Sequence, residues 1–100
     1  MIEWKHGKND YQEYYDANVG GHYLCVFNNK WEPGIWMGMY DNNMIHNKTR
    51  NDRERRKNNL PKGSHFAELQ RDWILCSPNP EYMMRKVEYC FKHKQIEISE

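Results

Sequence analysis

The stretch YQEYYDANVGGHYLCVFN, residues 11–28, decides how this chain folds. Its first half alternates. Tyr11, Glu13, Tyr15, Ala17 and Val19 fall on one side of an extended chain, and Gln12, Tyr14, Asp16 and Asn18 fall on the other. A period of two with one mostly apolar side is the pattern of a β-strand. Gly20 and Gly21 follow, and a glycine pair tolerates the positive φ of a tight hairpin turn. Residues 22–28 return as a second strand, so the stretch reads as an antiparallel hairpin.

Beyond this hairpin, residues 28–34 form a loop rich in Asn, Pro and Gly, and residues 35–40 form a third strand that Asp41, Asn42 and Asn43 close. Residues 71–77 read as a fourth strand, with Trp73, Ile74, Leu75 and Cys76 continuously apolar. A helix start follows. Asn79 can cap, Pro80 suits the first helical position and Glu81 complements the helix dipole. From residue 80 to about 95, Met83, Met84, Val87, Cys90 and Phe91 recur at helical spacing, which gives one apolar stripe to bury. The fold class expected is α+β. A three-strand meander, a long excursion over residues 41–65 and a fourth strand make an antiparallel four-stranded sheet, and the C-terminal helix packs on one face. At 100 residues the chain is expected to be a single domain.

Mean hydropathy is low, at -1.15, yet the chain carries four Trp, seven Tyr and three Phe. Each buried ring removes a large area from water, so a short chain of this composition can still close a core. Three cysteines with no close spacing, no N-terminal apolar run and no apolar stretch near the ~20 residues of a membrane span point to a cytoplasmic protein with free thiols. The sequon at Asn47, Lys48 and Thr49 matters only on a secreted chain and is discounted.

The second and third strands are apolar on both sides. Leu24 and Val26 share one parity with Tyr23, Cys25 and Phe27 on the other; Ile35, Met37 and Met39 share one parity with Trp36 and Tyr40 on the other. A single helix covers one face. Pairing aliphatic with aliphatic puts Leu24, Val26, Ile35, Met37 and Met39 beneath the helix. Tyr23, Phe27, Trp36 and Tyr40 are then an aromatic row on the opposite face, with Gly38 admitting a close neighbour between the last two. Either the excursion or the segment around Trp4 folds over that row, or the row is a binding face for unpaired bases or a protein partner.

Charge is unevenly spread. The whole chain carries +1, but residues 1–43 carry -3, residues 44–65 carry +5 and residues 66–100 carry -1. Arg50, Arg53, Arg55, Arg56 and Lys57 concentrate it. Thr49 with Asp52 could cap a short helix over residues 50–59, ended by Pro61 and Gly63, but it would be polar all round. The segment is a solvated loop, an arm that places forked guanidinium groups on phosphates, or a dock for an acidic protein surface. Lys48, Thr49 and Arg50, followed by Arg53, Glu54, Arg55, Arg56 and Lys57, resemble the arginine-rich RNA-binding peptides of lambdoid antitermination proteins. That resemblance implies nucleic acid as a partner through residues 48–62. A basic helix-loop-helix reading of residues 54–72 fails, because Pro61 and Gly63 break its first helix.

No nucleophile elbow, phosphate loop or paired-carboxylate signature is present, so the chain is not expected to be an enzyme or to use a cofactor. Cys90 and His93 with Cys25 or Cys76 could be drawn as a zinc site, but Cys90 falls on the apolar stripe, where a small buried thiol is the simpler reading.

The run from Tyr15 through Val19, Gly20 and Gly21 to Val26, followed by Trp31 and Trp36, resembles small bacteriophage-encoded accessory proteins. These carry a strand ending in Val-Gly-Gly, a Trp-bearing hairpin and a late helix. The long insertion at residues 41–65 departs from that pattern. The resemblance implies host takeover or counter-defence, achieved by binding and inhibiting a host protein, with proteins that handle nucleic acid among the candidates. Contacts would come from Arg50, Arg53, Arg55, Arg56, Lys57, Tyr23, Phe27, Trp36 and Tyr40. The alternative is direct RNA or DNA binding by the same residues.

Overall fold

The computed structural model describes residues 2–29, 32–47 and 60–95. The chain forms β1 (Lys5–Lys8), β2 (Glu13–Val19), β3 (His22–Asn29), β4 (Glu32–Tyr40), β5 (Asn43–Met44), β6 (His46–Asn47), β7 (His65–Leu69) and β8 (Asp72–Cys76), then the helix α1 (Pro80–Lys92). It is an α+β fold with antiparallel sheets. The hairpin read from residues 11–28 is present as β2 and β3, which pair from Tyr14 with Phe27 to Val19 with His22. Gly20 (φ 56°) and Gly21 (φ 84°) make the turn.

The expected four-stranded sheet is replaced by two sheets. β1 to β5 form a five-stranded meander in chain order, and β6, β8 and β7 form a second, three-stranded sheet. β1 was not expected: Lys5, His6, Gly7 and Lys8 lack alternation, and the strand exists because it pairs along β2. The fourth expected strand, now β8, belongs to the second sheet. The described ends of the excursion are not plain loop either. Residues 43–47 pair first with β4 and then with β8, and β7 begins at His65. The backbone relays this stitching: Ile45 N–H donates to Gly38 O at 2.9 Å and Leu75 N–H to Ile45 O at 3.1 Å. Trp36 and Ser77 exchange backbone bonds of 2.7 and 3.0 Å between β4 and the end of β8. The short helix considered for residues 50–59 lies outside the described residues.

The helix forms as its signals require. Asn79 caps it by accepting the Tyr82 N–H at 3.0 Å, Pro80 opens it, and Met83, Val87 and Cys90 are buried. The core joins Leu24 and Val26 of β3, Trp36 of β4, Ile45, Phe66 of β7 and Leu75 of β8 to those three helix residues. Trp4, partly buried at its edge, donates its indole N–H to a carboxylate oxygen of Glu88 at 2.9 Å, tying the N-terminal segment to the helix. Asn47, the acceptor residue of the sequon, is fully buried.

The register between β3 and β4 overturns the expected division of faces. Leu24 faces Tyr40, Val26 faces Gly38 and Asn28 faces Trp36, whereas Cys25 faces Met39 and Phe27 faces Met37. Directly paired residues lie on one side of an antiparallel sheet. Trp36 and Tyr40 therefore lie with Leu24 and Val26 on the helix side. Met37 and Met39 lie with Tyr23 and Phe27 on the other. Parity alone could not choose, because both faces of both strands are apolar and the connecting loop sets the register. Gly38 carried a usable signal. A bare backbone in a strand invites close approach, and the element that approaches is α1: a β-carbon there would come within 2.5 Å of Val87 Cγ2.

Candidate functional site

The sheet's other face carries a second set of large side chains. β2 contributes Tyr14 and Asp16, β3 contributes Tyr23, Cys25 and Phe27, and β4 contributes Met37 and Met39. Cys25 is buried, while Tyr14, Tyr23, Phe27, Met37 and Met39 are each only partly covered. Tyr14 extends its ring across Gly7 of β1, which fills the gap that a residue without a side chain leaves.

The polar groups on this face are arranged among themselves. The Tyr23 hydroxyl donates to Asp16 Oδ2 at 2.9 Å. Burial and that bond push the Tyr23 phenol well above its ordinary range, so it stays protonated and committed to Asp16. Burial likewise raises the Cys25 thiol, which rules it out as a ready nucleophile. What remains is polarizable thioether and ring surface, suited to a partner that is itself apolar at the contact.

The expected aromatic row does not form. Tyr23 and Phe27 are on the helix-free face. Trp36 is 6% exposed, packed against Tyr15 at 5.5 Å between ring centroids, and is a core residue, not a contact. Tyr40 sits at the rim of the helix side, edge-on to Phe91 at 6.0 Å. Arg50, Arg53, Arg55, Arg56 and Lys57 lie outside the described residues. Tyr14, Met37 and Met39 replace the lost rings. Tyr14 was visible as the opposite parity of the first strand, but its meaning depended on knowing which parity faces the core.

A second feature is a cleft where the β4–β5 turn meets the end of α1. His22, Tyr40, Asp41, Asn43, Phe91, Lys92 and Lys94 line it. His22 Nδ1 and Asp41 Oδ2 lie 2.5 Å apart. A carboxylate only accepts, so Nδ1 carries the shared hydrogen. That bond, more than the Tyr23 N–H on Oδ1, holds the Asp41 carboxyl below the usual carboxylate range. No sequence signal linked His22 with Asp41, which are nineteen residues apart.

Among the described residues, no group of three or more His, Cys, Asp and Glu side chains is placed to hold a metal ion, and no helix is long and apolar enough to cross a membrane. Cys90 is fully buried in the core, apart from Cys25 on the far side of the sheet. Compared with protein-family models, curated proteins and solved structures, the chain matches none.

Proposed function

We propose that this chain is a non-enzymatic binding protein of the bacteriophage accessory kind, which acts in the host cytoplasm by stoichiometric attachment to a host protein and its inhibition. One observation carries the reading. Tyr14, Tyr23, Phe27, Met37 and Met39 lie together on a sheet face that α1 does not cover, while the buried core lies on the other side. Surfaces of this composition act as anchors when a partner excludes water from them. The +5 charge of residues 44–65 adds an attraction for acidic partners. The partner that fits is a folded protein with an apolar patch and an acidic surface.

The test is affinity capture from bacterial lysate with the full chain, followed by reconstitution with the captured protein. A single partner at one-to-one stoichiometry is expected. Binding should fall at least tenfold on Phe27→Ala or Met37→Ala, and the Met37 and Met39 methyl resonances should shift in the complex. A partner that binds Phe27→Ala and Met37→Ala undiminished would overturn this face as the contact.

The concentration of arginine over residues 50–57 supports a second reading, direct RNA or DNA binding. It predicts an affinity that falls steeply with salt and is lost in an Arg53→Ala, Arg55→Ala, Arg56→Ala variant. The absence of any mobility shift of labelled RNA or DNA at low salt would end it.

A further inference from the structure

The cleft between the β4–β5 turn and the end of α1 is built at a cost to the backbone. Asp41 (φ 48°) and Asn42 (φ 67°) make the two-residue turn, and Lys94 (φ 52°) ends the helix. Gln95 N–H donates to Cys90 O at 2.9 Å and Lys94 N–H to Phe91 O at 3.2 Å, which puts Lys94 at the left-handed position where glycine is usual. A lysine there is disfavoured relative to glycine, and an outlier of this kind at the lip of a cleft invites a functional explanation.

The walls divide by chemistry. Phe91 lies 5.3 Å from the His22 ring and 6.0 Å from the Tyr40 ring, so three rings of the lining cluster together. Asp41, the acid of the lining, has both oxygens engaged, one by His22 and one by the Tyr23 N–H at 3.1 Å. Among the described residues, neither Lys92 nor Lys94 has a carboxylate within ion-pair reach. The cleft therefore offers ring surface and positive charge in one lining. Its volume is about 550 Å³, within the ~300–1,000 Å³ of small-molecule sites.

We propose that this cleft binds a nucleoside monophosphate. The base packs against Phe91 and Tyr40, and the phosphate is held by Lys92 and Lys94. Base–ring packing tolerates any base, while the ammonium groups act as point charges on the phosphate. The site is separate from the helix-free face, so either can fail without the other.

Titration of the full-length protein with AMP, GMP, CMP and UMP, followed by nuclear magnetic resonance, tests this. Adenosine and inorganic phosphate are run as separate arms. At least one nucleotide should bind tenfold tighter than both of those probes and shift the resonances of His22, Phe91 and Lys94. Lys94→Gly should weaken binding at least fivefold while leaving the melting temperature unchanged or higher, since glycine suits the backbone there. A purely structural lysine would show no such split. Equal binding of inorganic phosphate, shifts confined to other residues, or unchanged affinity in Lys94→Gly and Lys92→Ala would overturn the proposal, as would no binding by any nucleotide.

Discussion

A methyl group added at Gly38 has no room. It would meet Val87 Cγ2 at 2.5 Å and Met83 Cε at 3.3 Å, two side chains of the helix that closes the core. Gly38→Ala should therefore destabilise the protein by about 1–3 kcal/mol, the usual scale of overpacking. Urea unfolding followed by tryptophan fluorescence will read it as a lower midpoint, and an unchanged midpoint would mean that α1 does not lie on β4 as described. The residue was identified in the sequence as a point of close approach, but the approaching group was not. Trp36 shows the same limit. Its type marks it as an anchor or a core residue with equal force, and only its pairing opposite Asn28 places it inside.

The elements were legible where local chemistry specifies them. The helix is the clearest case, since a cap, an N-terminal proline and a stripe at helical spacing all act within a few residues of one another. Asn79→Ala should cost about 1 kcal/mol, because the Tyr82 N–H then loses its acceptor. Asn79→Asp should retain most of the stability, as it keeps the acceptor and adds a favourable charge at the dipole. Thermal unfolding of the two variants side by side checks this. β2 and β3 were legible for the same reason, through alternation and a glycine turn. β1, β5 and β6 were not. They are two to four residues long, carry no period, and exist only because neighbouring strands supply their hydrogen bonds.

Across the whole molecule, burial reaches the thiols as well as the aliphatic core. It pushes Cys76 and Cys90 up to about 11. In the unfolded chain a thiol titrates near ~8.5. The folded state thus holds protons that the unfolded state releases, and the stability these two thiols contribute is fully present below ~pH 8.5 and lost as pH rises toward about 11. Unfolding free energy measured from pH 8 to 11 should fall over that window, and a Cys76→Ala, Cys90→Ala variant should show a flatter decline. The candidate surfaces belong to this scale too. The helix-free face exists because one helix covers half of a two-faced sheet, and the cleft exists because a turn and a helix end meet. By itself the sequence determined the helix, the central hairpin, the α+β class and the uneven charge, because each depends on residues close together in the chain. Only the tertiary structure decided which side of the sheet is core, that the late strands form a second sheet, and which residues line the cleft. Those outcomes turn on strand register and long-range pairing, and a strand that is apolar on both sides carries no local mark of which side turns inward.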